Sequence, residues 1–211
     1  MSHDHSYKLL FSHPEMVVDL LKGFVQEEWV SQCDFSTLEK VGGSYVTDDL
    51  REREDDLIWR IRWGEEWLYV YLLLEFQSTV DHFMAVRIMG YLALLYQDLI
   101  RAEKLGVQDC LPPVLPLVLY NGERRWNAPV NLEALIYPAP LELEKYRPKL
   151  SYLLLDEGRI AVQDLSGIKN LVAALFQLET SRSDEDLRVV VRNLLSVCRK
   201  SKLLSIYHAL T

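Results

Sequence analysis

Asp56, Glu75 and Gln77 are spaced so that two neighbouring β-strands could gather them at one place. In the run from Asp56 to Trp63, Leu57, Trp59, Ile61 and Trp63 recur with the alternation that marks a strand. Trp67 to Gln77 forms a second run, rich in Trp, Tyr, Val and Leu. It is apolar on both faces from Tyr69 to Leu74, which predicts a central strand. Gly64, Glu65 and Glu66 lie between the runs, so the two read as an antiparallel hairpin. If Glu65-Glu66 is the loop, Asp56 falls opposite Glu75. If Gly64-Glu65 is the loop, Asp56 faces Leu73 and Glu75 is a diagonal neighbour. Either way the two acids share a face, roughly 5–8 Å apart. A three-residue loop would reverse that parity unless a bulge restored it. Gln77, two residues beyond Glu75, shares its face in any register.

Two carboxylates brought this close repel unless something positive sits between them. A hard divalent cation such as Mg²⁺, Mn²⁺ or Ca²⁺ suits such oxygen ligands and keeps waters that a phosphate can displace. It would polarise a scissile phosphate and help generate hydroxide. Gln77 could orient water or phosphate by hydrogen bonding, but it is neither a base nor a cation. The competing reading of Glu75 is a satisfied structural carboxylate. It follows Leu72-Leu73-Leu74 and precedes Phe76, so it should be at least partly buried, where acids are seldom found unpaired.

The elements that must position these residues are legible in outline. A first helix is predicted from Pro14 to Val30, capped by Ser12 or His13, with Val17, Leu20, Leu21, Phe24 and Val25 on its apolar face. Residues 35–55 read as a polar connector ending in a charged run. A long helix over 82–104 carries the stripe Met84, Ile88, Tyr91, Leu92, Leu95 and Leu99, with Gly106 near its end. Val114–Tyr120 is a short buried strand closed by Asn121 and Gly122, most simply a turn. The stretch 123–148 is irregular and interrupted by Pro129, Pro138, Pro140 and Pro148. Beyond it come a strand over 150–155, an amphipathic helix over 168–178 and a last helix over about 185–208. Arg199, Lys200 and Lys202 end that last helix, where its dipole favours cations.

Composition narrows the function classes. The 211 residues carry a formal net charge of −8, which argues against a protein that coats nucleic acid nonspecifically. A nuclease is still allowed, because a bound cation restores a local phosphate site among acids. There is no apolar run of roughly 20 residues and no basic-then-apolar leader, so the expectation is a soluble cytoplasmic protein without membrane association. Cys33, Cys110 and Cys198 are scattered and lack CxxC spacing, which favours reduced thiols over a zinc site. His3, His5 and His13 read as part of a solvated N-terminal segment.

The runs Asp55-Asp56-Leu57-Ile58-Trp59 and Leu73-Leu74-Glu75-Phe76-Gln77-Ser78 resemble the recombination-promoting nucleases, also described as putative YhgA-like transposases. The opening His3-Asp4-His5-Ser6-Tyr7-Lys8-Leu9-Leu10-Phe11-Ser12-His13-Pro14-Glu15 is similar as well. So are Met84 to Tyr91, Val118-Leu119-Tyr120-Asn121-Gly122 and Trp126, in the same order. The likeness covers about residues 3–130, and the ordered combination is more specific than any one motif. That family lies within the PD-(D/E)xK group. The resemblance therefore implies an α/β fold, a central mixed β-sheet flanked by helices with a restriction-endonuclease-like core. It also implies divalent-metal-dependent DNA endonuclease activity. The family's aspartate corresponds to Asp56 and its Glu-x-Gln to Glu75 and Gln77. Lysine is the commoner residue of the wider group where Gln77 stands. Arg87 is the first candidate to supply the missing positive charge and Lys8 the second.

An acid on the first helix often completes such sites, which makes Glu15 and Asp19 accessory candidates. As helix-surface acids they are otherwise simply solvated. Tyr91, four residues from Arg87, could line the same face toward the site or serve as a core aromatic. The expected organisation is a nuclease-like domain over 1–165 and a helical C-terminal segment over 166–211, with room for a homodimer. The leading reading is a metal-dependent nuclease acting on DNA in recombination, mobile-element biology or defence. The alternative is a catalytically silent DNA-binding or protein-interaction module. No phosphate-binding glycine loop, nucleophile elbow or zinc motif supports another enzyme class.

Overall fold

The computed structural model describes residues 3–41, 56–75, 80–122, 124–138, 140–160, 165 and 170–180, and for residues 3–5, 56, 75 and 180 the backbone alone. The described residues form the expected α/β fold, a five-stranded mixed sheet in the order β1-β2-β3-β4-β5 with helices on both faces. The strands are β1 (Cys33–Lys40), β2 (Asp56–Trp63), β3 (Glu66–Glu75), β4 (Val114–Tyr120) and β5 (Leu153–Asp156). The first three make an antiparallel meander, and β4 and β5 then add in parallel to β3. A parallel addition needs a crossover, and the helix α3 (Met84–Ala102) supplies it between β3 and β4.

The hairpin adopts the second of the two registers. Trp63 pairs with Glu66, so Gly64-Glu65 is the turn and Asp56 pairs with Leu73. Gly64 holds φ +61°, a conformation that costs glycine nothing and other L-residues considerably more. The double-faced apolar character of β3 has a direct structural reason. Its alternate residues feed two cores, one on each side of the sheet. Leu57, Trp59, Val70, Leu72, Leu74, Leu117 and Leu119 lie under α1 (His3–Phe11), α2 (Pro14–Phe24) and α5 (Leu171–Thr180). Ile58, Tyr69, Tyr71, Leu73, Val118 and Tyr120 lie under α3.

The predicted connector over 35–55 is overturned in its first part. Residues 35–40 belong to β1, an edge strand whose pairing with β2 shifts register between Asp34 and Glu39. The opening segment is also structured: Tyr7, Leu10 and Phe11 are buried at helical spacing on α1. The predicted helix over 14–30 ends at Phe24 and is followed by a 3₁₀ turn, Glu28–Gln32. The long helix ends at Ala102 and is closed by Lys104 (φ 51°), not Gly106, with the Leu105 N–H donating to the Ile100 carbonyl at 3.2 Å, the bond of a Schellman motif. Among its described residues, the segment 123–148 holds only short elements, a 3₁₀ turn (Glu133–Leu135) and the one-turn helix α4 (Leu141–Glu144). The last predicted helix, over 185–208, lies outside the described residues, as does Cys198. Cys33 and Cys110 are free thiols. Among the described residues, no helix is long and apolar enough to cross a membrane.

Candidate active site

Sheet register fixes the backbone of the candidate site. Asp56 is the first residue of β2 and Glu75 the last of β3, so both stand at the same end of the sheet. Residues paired across strands share a face. Asp56 pairs with Leu73, and Glu75 is two residues beyond, so positions 56 and 75 are diagonal neighbours on the α3 side, with Cα atoms roughly 7–8 Å apart. The row continues in parallel register, Glu75 with Tyr120 and Tyr120 with Asp156. This is the carboxyl edge of β3, β4 and β5, where open α/β sheets commonly bind ligands. Gln77 lies outside the described residues.

Helix α3 brings two accessory candidates to that face. The Tyr91 ring stacks on Tyr71, centroids 5.8 Å apart, so Tyr91 is a core aromatic of this face. Arg87 precedes it by about one turn, toward the end of the sheet where positions 56 and 75 stand. Its Nε donates to the Tyr91 hydroxyl at 2.9 Å, and its Nη1 reaches Asp81 Oδ2 at 3.3 Å. These contacts hold a cation above the edge while leaving the Arg87 side chain about a third exposed.

The other accessory candidates lie elsewhere. Glu15 and Asp19 belong to α2, and Lys8 to α1, helices that cover the opposite face of the sheet. Asp19 has a structural task. Its Oδ2 accepts the Leu171 N–H at 2.6 Å and its carbonyl accepts Asn170 Nδ2, so it ties α2 to the first turn of α5. Burial raises its carboxyl above the ordinary range, against the opposing effect of the Leu171 bond. Lys8 is half-buried beside Lys40, and its charge, after burial, helps lower the Lys40 ammonium. Glu15 is exposed.

Sequence reasoning missed two buried acids at the same edge. Asp156 and Glu157 are 5% and 3% exposed, so each must be paired or protonated. Asp156 is paired: Arg125 Nη1 at 2.8 Å, Arg159 Nε at 3.3 Å and the Trp126 N–H at 3.0 Å surround its carboxylate. Glu157 turns toward α1, where its Oε2 accepts the Tyr7 hydroxyl at 3.1 Å, and Tyr7 in turn accepts Asn121 Nδ2 at 3.2 Å. Burial pushes the Glu157 carboxyl up to about 8; the Tyr7 bond opposes this, and Glu179 and Asp156 add to it. Burial likewise raises the Tyr7 hydroxyl. Asn121-Gly122 follows β4 without regular structure, and a Cβ at Gly122 would lie 2.0 Å from the Tyr120 hydroxyl oxygen. A signal for the missed acids was present. Leu153-Leu154-Leu155-Asp156 repeats the pattern of Leu72-Leu73-Leu74-Glu75, an acid directly after an apolar strand.

The donor chemistry suits a hard cation. Two carboxylate positions at diagonal separation, with an amide two residues further on, could supply oxygen ligands and leave sites for water. Among the described residues no group of three or more His, Cys, Asp and Glu is arranged to hold a metal. Asp56, Glu75 and Gln77 therefore stay the residues to test.

A family model described as "Putative transposase, YhgA-like" matches residues 1–205. The recombination-promoting nuclease RpnA of Escherichia coli (strain K12) is 32% identical over 120 residues, 57% of this chain and 40% of that protein. RpnD of Escherichia coli O157:H7, of the same description, is 30% identical over 122 residues, 58% of this chain and 46% of that protein. RpnE of Escherichia coli (strain K12), named an inactive recombination-promoting nuclease-like protein, is 31% identical over 121 residues, 57% and 39% of the two chains. The chain thus spans less than half the length of these relatives in the matched region. No solved structure matches it.

Proposed function

The chain belongs to the YhgA-like putative transposase family, and from that premise we propose that it is a divalent-metal-dependent DNA endonuclease of the PD-(D/E)xK kind, acting in recombination, mobile-element biology or defence. One observation carries the reading: strand register sets Asp56 and Glu75 diagonally on one face, at the carboxyl edge of the sheet. The names of the relatives RpnA and RpnD support the reaction class.

In this reading Asp56 and Glu75 hold the cation, Mg²⁺ or in its place Mn²⁺ or Ca²⁺. When bound, it lowers the pKa of water and offsets charge on the phosphate. Gln77 orients the attacking water or a phosphate oxygen by hydrogen bonding. It takes up no proton, so the proton lost by the water passes to solvent or to the phosphate. Arg87, fixed by Tyr91 and Asp81, faces the same edge and adds the positive charge that a glutamine at 77 does not bring. The Tyr71 and Tyr91 rings stack on each other on that face. The reading places the protein in the cytoplasm, in keeping with the free thiols of Cys33 and Cys110.

The test is nicking of supercoiled plasmid by purified protein with added Mg²⁺ or Mn²⁺. Asp56→Ala and Glu75→Ala should each abolish it, by at least about a hundredfold for loss of a metal ligand, at unchanged circular dichroism. Cutting that persists in both would refute the assignment. The relative RpnE, named inactive, favours a second reading in which the chain is a silent DNA-binding or protein-interaction module. Titration calorimetry with Mn²⁺ separates the two. A live site binds the metal and loses it in Asp56→Ala, and a silent one gives no heat.

A further inference from the structure

Lys40 lies 28 residues from Ser12 in the chain, yet its Nζ donates to the Ser12 hydroxyl oxygen at 3.0 Å. That hydroxyl in turn donates to the Lys8 carbonyl at 2.7 Å. Ser12 directly follows α1 and stands four residues beyond Lys8, a spacing that puts both side chains on one side of the helix. The fold therefore gathers two ammonium groups around one hydroxyl. Burial lowers the Lys40 ammonium from its usual range, and the charge of Lys8 adds to that effect.

Cations brought together in this way repel unless an anion joins them, the converse of two converging carboxylates. Among the described residues, neither ammonium makes an ion pair with a carboxylate. Glu39, beside Lys40 in the chain, is taken up by Arg60, and Glu15 is exposed on α2. The first turn of α2 adjoins Ser12, and its N-cap, His13, makes no side-chain bond to it, so the positive end of that helix dipole adds to the same charge. A lysine ammonium offers three donors as a compact charge, which suits phosphate oxygens.

The place of the pair is also defined. Lys40 is the last residue of β1 and pairs with Trp59, so it shares the α1–α2 face of the sheet. Asp56 is three positions further along β2, about 10 Å, on the other face. The lysines and the candidate metal ligands thus stand at one end of the sheet, on either side of it.

We propose that Lys8 and Lys40, joined through Ser12, hold a backbone phosphate of DNA where it crosses that end of the sheet. The site rests on the reading of DNA as substrate, but it is separate from the metal ligands.

The test is fluorescence anisotropy of a labelled DNA duplex in EDTA, where metal-dependent cutting cannot occur, across a range of KCl concentrations. The double variant Lys8→Gln/Lys40→Gln should reduce the slope of log affinity against log salt by about 0.9, the value for one phosphate contact. Lys8→Arg/Lys40→Arg keeps both charges and should keep the slope. Folding is checked by thermal melts. Wild-type protein supplies a second measurement: bound duplex should protect Lys8 and Lys40 from reductive methylation, read by mass spectrometry. Unchanged slopes in the folded glutamine variant, or full reactivity of both lysines with duplex bound, would overturn the site. Protection by inorganic phosphate at matched ionic strength, without protection by duplex, would make free phosphate the ligand and overturn the assignment to DNA. Metal-dependent cutting with unchanged slopes sinks the lysine site alone. Lysine-dependent binding without cutting in any divalent metal sinks the nuclease reading alone. No binding to DNA removes both.

Discussion

At the scale of single residues, Glu157 makes a prediction that needs no substrate. Its folded-state pKa is raised from an ordinary 4.5 to about 8, chiefly by burial. The folded protein therefore binds this proton more tightly than the unfolded chain. The resulting stabilisation is complete below about pH 4.5 and is lost as pH rises through about 8. The raised Asp19 acts in the same direction. Melting temperature should fall across that window, and Glu157→Gln should flatten the fall, because an amide can still accept the Tyr7 hydroxyl bond without ionising. A scanning-calorimetry series in pH reads both. Residue types alone could single out Asp56 and Glu75, because acids beside apolar strands are conspicuous. They could not distinguish a helix acid turned to solvent from Asp19, whose partner Leu171 lies 152 residues away in the chain.

At the scale of elements, periodicity disclosed what tertiary packing reinforces. The stripe on α3 and the alternation of β2 and β3 are written in the residues each core takes up. Strand β1 was hidden for a physical reason. It is an edge strand in which Asp34, Ser36, Glu39 and Lys40 are exposed, and its register shift breaks the alternation. Helix α1 was hidden by its polar opening, although Tyr7, Leu10 and Phe11 already have helical spacing. The end of α3 offers a test of local conformation. Lys104 holds φ 51°, a region that disfavours a side chain, and it closes the helix where glycine is the usual choice. Lys104→Gly should stabilise the fold by about 0.5–1 kcal/mol, as relief of left-handed strain outweighs the added freedom of the unfolded chain. Urea denaturation would measure it.

At the scale of the whole molecule, the fold gathers arginines at one edge of the sheet in a chain of net charge −8. Arg87, Arg125 and Arg159 come from a crossover helix, the loop after β4 and the end of β5, far apart in sequence. No count of Lys and Arg could have placed them at one edge; the parallel order β3-β4-β5 does so. The fold class followed from the family resemblance. The closing of that edge did not, because it depends on which strands adjoin.

The turn at Gly64-Glu65 lies at the far end of the hairpin, about 25 Å from Asp56 along β2. It nevertheless decides which acids meet, since it sets the parity of the whole strand pair. The number of residues between the turn and Asp56 is therefore under a counting constraint. A residue inserted within β2 swaps the inward and outward rows beyond it and turns Asp56 to the face opposite Glu75, unless a bulge absorbs it. A residue inserted in the turn itself lengthens the loop and leaves the pairs in place. A plasmid-nicking assay should find the insertion within β2 silent and the insertion in the turn active.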